Sequence, residues 1–205
     1  MTAFLGDFAT VRTGLVTARK KAQLDSVEKI GYRQISLRYF GFGVKLNRVE
    51  SETFESKEPV NEKYLTQQGD VVVRLRAPSS AVYIEKEDEG LLIHSLLAVI
   101  RMNGNANNTI DPRYLAYYIN ATSTQHILKK SIKGTAIPML KTKDLEELKV
   151  SFPYRIEEQQ NLVRLLELSE KERRLLQELS EKKKQLSQSY LDTIIQQNKE
   201  AICQK

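Results

Sequence analysis

Cysteine is almost missing from this 205-residue chain: Cys203, near the C-terminal end, is the single one. One thiol excludes an internal disulfide framework and a cysteine-based zinc cluster, and it fits a reducing compartment. Long apolar runs are missing too. No stretch approaches the ~18 apolar residues of a membrane span, and no basic start leads into an apolar run of signal-peptide length. A cytoplasmic protein that does not engage a membrane is expected. Histidine is scarce, with only His94 in an apolar strand-like run and His126 in a helical segment. Two distant histidines without HExxH spacing make neither a metal site nor a catalytic triad. Phe40-Gly41-Phe42-Gly43 lacks the third glycine of a dinucleotide loop, and no G-x-x-x-x-G-K-[ST] occurs to cradle a phosphate. Glu55-Ser56-Lys57 has the acid-x-lysine order of many nuclease sites but no upstream Pro-Asp partner. An acid and a lysine this close arise by chance in any charged loop. No catalytic residue, no metal ligand set and no cofactor are expected.

What is present is positive charge, unevenly spread. The net charge is +6, with 22 Lys/Arg against 17 Asp/Glu in residues 1–150 and 10 against 9 in residues 151–205. Such a balance attracts nucleic acid, an anionic membrane or an acidic partner without choosing among them.

The pattern of elements changes once along the chain. Phe4, Leu5, Phe8 and Val11 predict a short leading element, and residues 15–30 read as a basic loop. Alternation from Ile35 to Tyr39 predicts a half-buried strand with Arg38 outward. Gly69-Asp70 turns into Val71–Arg76, where Val71, Val73 and Leu75 form an inner row and Arg74 and Arg76 an outer one. Ala77-Pro78-Ser79-Ser80 breaks that strand, Val82–Ile84 resumes it, and Leu91–Ile100 is apolar enough for a strand covered on both faces. Asp111-Pro112 offers an N-cap followed by proline at the first helical position, with Leu115, Tyr118 and Ile119 as the apolar stripe. Residues 154–205 contain neither glycine nor proline and are rich in Leu, Glu, Lys and Gln, which predicts one long helix. Leu168, Leu175, Leu179, Leu186, Tyr190 and Ile194 follow one another at steps of seven, four, seven, four and four, interrupted where Glu172 and Lys182 take the intermediate positions. That is close to one coiled-coil seam, and a domain of this size cannot cover a rod about 60 Å long. The stripe therefore needs another helix, and these six residues are the expected dimerisation contacts.

Binding groups are the remaining candidates. Arg33, Arg38, Arg74, Arg76, Lys133, Lys141 and Lys143, with Ser79, Ser80, Asn103, Asn105, Asn107 and Asn108, place donors near turns of the sheet region. Arginine and asparagine read guanine and adenine bidentately, while lysine and serine mostly hold phosphates.

Taken together, Leu5-Gly6-Asp7, Gly69–Val73, Tyr114–Asn120, Gly134–Leu140, Leu145–Pro153 and Glu158-Gln159 before the long helix resemble, in order and spacing, the specificity subunit of type I restriction-modification systems. The resemblance implies an α+β fold: a mixed α/β target-recognition domain with a curved sheet over residues 1–153, then a long coiled-coil-forming helix over residues 154–205. It also implies double-stranded DNA as ligand, methyltransferase subunits as partners and, through them, the restriction subunit, with no catalysis by this chain. Full-length members carry two recognition domains and two spacer helices, so the chain resembles a half-subunit that pairs with a second copy through antiparallel rods. A stand-alone DNA-binding regulator or anti-restriction decoy is the alternative, and a small nuclease using Glu55 and Lys57 a third.

Overall fold

The computed structural model describes residues 1–22, 29–40, 43–46, 52–104, 109–132 and 139–203, with side chains up to residue 195. Along the chain run β1 (Thr2–Phe4), α1 (Leu5–Phe8), β2 (Ala9–Thr13), β3 (Ile30–Gln34), β4 (Glu52–Ser56), β5 (Val71–Arg74), β6 (Ala81–Tyr83), β7 (Leu97–Met102), α2 (Pro112–Asn120), α3 (Thr122–Ser131), α4 (Thr142–Glu146), β8 (Lys149–Ser151) and α5 (Ile156–Cys203). The fold is α+β, and the chain divides into two compact units, Met1–Val163 and Arg164–Lys205.

The first unit is built on a four-stranded antiparallel sheet in the order β2-β7-β5-β6. One face buries Val11, Val71, Val73, Ala81, Ala98 and Ile100 in the larger core, to which α2, α3 and α4 contribute Leu115, Ile119, Leu128 and Leu145. The other face presents Val72, Val82, Leu97 and Val99 to a second core supplied by the connecting segments, through Ile35, Tyr39, Leu46, Ile84, Leu91 and Ile93. Val71–Val73 and Leu97–Ile100 are therefore buried on both faces, which is why Val71-Val72-Val73 runs apolar without alternation. The hairpin of β3 and β4 adds a small third core around Phe54, Val60 and Leu92.

Polar side chains tie the edges down. Asp111 accepts the Arg113 N–H at 2.8 Å with Pro112 at the first helical position, the cap expected from the sequence. At the far end of α2, Asn120 accepts the Ala81 N–H at 2.7 Å and donates to the Ala81 carbonyl at 2.8 Å. This occupies backbone groups of the edge strand β6 that would otherwise stay open. Tyr114 and Tyr118 donate their hydroxyls to the carbonyls of Ser151 and Lys149 at 2.8 and 2.9 Å, which latches α2 to β8. Gln159, fully buried on the first turns of α5, accepts the Asp111 N–H and donates to the Thr109 and Pro153 carbonyls, each at 2.9 Å.

Two elements differ from the sequence expectation. Ile35–Tyr39 is not a strand: β3 ends at Gln34, and Leu37–Tyr39 is a 3-10 turn in which Ser36 Oγ accepts the Arg38 N–H. Ile35, Ser36 and Tyr39 are all buried, so the apparent period of two reflects a turn folded into the core. Within Leu91–Ile100 only Leu97 onward is strand, extending to Met102. The earlier part threads past Leu15, Gln34 and Leu65 through single bridges.

The second unit is helix alone. From Lys171 to Ile195 every side chain is exposed, including Leu175, Leu176, Leu179, Leu186, Tyr190 and Ile194. No helix among the described residues is long and apolar enough to cross a membrane.

Candidate nucleic-acid interface

The cations of the first unit fall into three neighbourhoods. The first surrounds the end of β5. Leu140 N–H donates to the Leu75 carbonyl at 2.8 Å, and Arg76 bridges to Met139, so Lys141 lies one residue beyond the segment that runs beside Arg76. Arg76 and Lys141 are both exposed. Arg74 behaves differently from the outward row drawn from alternation: it lies on the face of Val72 and Leu97, which is also covered. It is half-buried, and its Nε is enclosed without a partner among the described residues. In the adjoining turn Ser79 is buried, its Oγ likewise enclosed and unpartnered, while its carbonyl accepts from Gln125 Nε2 at 3.0 Å. Ser80 is half-buried, and its carbonyl accepts the Arg74 N–H at 2.9 Å. Lys143 is exposed on α4, 3.7 Å from Glu147. Lys133 lies outside the described residues, as do Asn105, Asn107, Asn108, Gly41 and the Gly134–Pro138 segment.

The second neighbourhood is the β3 hairpin and the turn after it. Arg33 and Arg38 are exposed there and form no ion pair with a described residue. Nearby lysines are already committed: Lys20 to Glu58 at 3.0 Å and Lys29 to Glu55 at 3.3 Å. The hydrogen bond and charge of Lys20 hold the Glu58 carboxyl below its usual range. Glu55 thus faces Lys29 across the hairpin.

The third neighbourhood was not singled out by the sequence reading. On the edge strand β2, Ala9 and Val11 are buried while Arg12 is exposed and Thr10 half-exposed. Thr10 pairs across the sheet with Arg101. A hollow of ≈ 520 Å³ opens beside this edge, lined in part by Arg12, Thr13, Lys63 and Tyr64. It adjoins a smaller one of ≈ 110 Å³ that Arg12 and Lys63 share with Arg101. Arg101 is anchored by Asp70, whose two oxygens accept from Nε and a terminal nitrogen at 2.7 Å each. Those hydrogen bonds raise the already high pKa of Arg101 and fix its charge at the rim. Asp70 is buried and also accepts the Gln67 N–H. It is more than the turn residue it resembles in sequence. The signal for Arg12 was available in the alternation of Ala9, Thr10, Val11 and Arg12.

Half-exposed and exposed guanidinium and ammonium groups above a rigid two-faced sheet suit an extended polyanion better than a small enclosed ligand. Residues 1–188 match the family model of the type I restriction modification DNA specificity domain, and the chain belongs to that family. In fold the chain is similar to the HsdS subunit from Thermoanaerobacter tengcongensis, at 16% identity over 87% of this chain and 44% of that chain, with a TM-score of 0.64. It is also similar to a chain from a structural study of complex assembly and conformational transition of the type I R-M system, at 19% identity, 86% and 39% coverage, and a TM-score of 0.58. A third likeness is to the S subunit of the type I restriction-modification system from M. genitalium, at 14% identity, 82% and 38% coverage, and a TM-score of 0.52. The chain spans less than half the length of each of these structures. No curated protein matches it.

Proposed function

We propose that this chain recognises a short double-stranded DNA sequence as a specificity component of a type I restriction-modification complex and performs no chemistry itself. The family match over residues 1–188 carries this reading. In it, residues 1–153 read the DNA and residues 154–205 form the spacer, which pairs with the helix of a second copy and docks methyltransferase subunits. Through these the restriction subunit joins, in the cytoplasm. Arg33, Arg38, Arg76, Lys141 and Lys143 are exposed cations suited to bases or phosphates, with Lys133 added on sequence alone. Arg74, Ser79 and Ser80 shape the turn that presents Arg76, and Arg12 with Lys63 extends the positive rim. One recognition module buries only roughly 600–1,000 Å² on DNA, so two modules joined by paired helices gain from high effective concentration and a fixed half-site spacing.

The test is selection of bound duplexes from a random library by the chain together with its methyltransferase subunit, followed by sequencing. A bipartite motif is expected, and retention of no motif refutes the reading. Arg76→Ala and Arg33→Ala then sort the contacts. A base contact loses about 1–3 kcal/mol of discrimination, and a phosphate contact weakens all sequences alike and flattens the salt dependence. Charged replacements at Leu175 and Leu179 are expected to abolish pairing in sedimentation while leaving the first unit folded.

A further inference from the structure

The two charges that interrupt the α5 seam are placed symmetrically. Leu175 and Leu179 lie two residues either side of Gln177, Glu172 and Lys182 five, and Leu168 and Leu186 nine. All six are exposed on the helix. Their spacings of three and four put them on one stripe, with Leu165 continuing it toward the N-terminal end. Neither Glu172 nor Lys182 forms an ion pair with a described residue. Over these six positions the row, reversed end for end, reads leucine against leucine and acid against base, while Leu165 beyond them falls opposite Ser189.

We infer that α5 is self-complementary: it pairs antiparallel with a second copy of this chain in one register, centred on Gln177, and the crossed Glu172–Lys182 pairs select both register and partner. This rests on the helix-pairing reading above and specifies it. Across a two-fold axis at Gln177, Leu175 meets Leu179 of the second copy and Leu168 meets Leu186. Glu172 meets Lys182, and each contact is made twice, as an isologous interface requires. Leu176, exposed beside the stripe, meets its own mate near the axis. Glu178 also approaches its mate, and Arg174 on the same chain stands 3.9 Å from it to offset the repulsion.

The charges discriminate more than they stabilise. Sliding one heptad in either direction sets Lys182 against Leu165 or Leu179, and Glu172 against Leu175 or Ser189, leaving charges unpaired inside the seam. Parallel pairing in register sets glutamate on glutamate and lysine on lysine. A helix from another chain with leucine at either position meets an isolated charge. Each alternative is disfavoured by a buried group without a partner, the usual device for fixing register and identity in helix pairs.

Sedimentation of the full chain tests this with E172K, K182E and the double exchange E172K/K182E. Wild type and double exchange are expected to dimerise within about threefold of one another, and each single exchange to raise the dissociation constant at least about tenfold, equivalent to about 1.4 kcal/mol. An equal mixture of the two single variants regains the dimer. Differently tagged wild type and double exchange do not capture one another, because in an antiparallel hybrid like charges face; free exchange between them means parallel pairing and overturns the inference. A wild-type dimer indifferent to the single exchanges also overturns it while leaving helix pairing intact. A monomeric wild type sinks both. The capture experiment stands even if a single variant fails to fold.

Discussion

Gln159→Leu removes a single side chain that ties two separate segments, Thr109–Asp111 and Pro153, to the start of α5. The side chain is fully buried and makes three hydrogen bonds, to the Asp111 N–H and to the Thr109 and Pro153 carbonyls, each at 2.9 Å. Leucine has nearly the same volume, so no cavity opens and the loss is almost purely polar. It leaves one N–H and two carbonyls without their partners, at about 1–3 kcal/mol for each group that is buried and left unmatched. The N–H takes the full penalty. The carbonyls take less, because water reaches Thr109, which is exposed, and Pro153, which is half-buried. The sum is about 3 kcal/mol, a large part of the roughly 5–15 kcal/mol that holds a domain together. For a unit of this size it lowers Tm by about 6–12 °C. Urea unfolding followed by circular dichroism measures it, with Gln160→Leu as the neighbouring control expected within about 0.5 kcal/mol of wild type. Equal stabilities of the two variants would refute the reasoning and reduce Gln159 to an ordinary helix residue.

Gly14→Ala is expected to be more damaging than its size implies. The added Cβ would sit 2.3 Å from the Ile93 carbonyl oxygen and 2.4 Å from that of His94, and backbone cannot rotate away, so a loss of about 3 kcal/mol in urea unfolding is expected. Asp70→Asn leaves the Arg101 guanidinium without its carboxylate. Because Arg101 is about 29% exposed, the loss is at the low end for breaking a buried pair, about 2–3 kcal/mol, and a denaturation midpoint equal to wild type would remove the pair from the stabilising interactions. Burial lowers the pKa of His94 against a smaller opposing influence of Glu52. The folded state therefore binds this proton less readily than the unfolded chain, so the contribution is complete above the unfolded value of about 6.5 and fades as pH falls below it. Stability measured at pH 7.5 and pH 5.5 is expected to fall more steeply in wild type than in His94→Gln, and parallel falls would contradict the assignment.

The legible parts of the fold were those set by local chemistry. Asp111-Pro112 announced α2 because a cap and a proline need only their immediate neighbours, and the absence of glycine and proline after Pro153 announced α5. Val71, Val73 and Leu75 were legible as an inner row, but the burial of Val72 on the opposite face was not. Ile35–Tyr39 misled because the burial of Ile35, Ser36 and Tyr39 is imposed by the second core, which no local pattern reports. Arg74 misled in the opposite way: alternation gives its face correctly but not that the face is covered. Glu158-Gln159 stood out only through its place in the family pattern, since three hydrogen bonds to residues six to fifty positions away leave no periodic trace. Of the proposed DNA contacts, sequence named Arg33, Arg38, Arg76, Lys133, Lys141 and Lys143 by type. It passed over Arg12 and Lys63, which only the closure of β2 against the Glu62–Tyr64 turn brings to one rim.

The two-sided burial within β5 and β7 restricts where this unit can change what it grips. A substitution at Val71–Val73 or Leu97–Ile100 disturbs an interior on one side or the other, so under the proposed function altered preference is expected in the segments beyond these positions and along the β2 edge. There, on the proposed function, replacements are expected to exchange contact chemistry at little cost in folding energy. The sheet acts as a fixed frame with interchangeable jaws, and a library aimed at new targets belongs in the jaws.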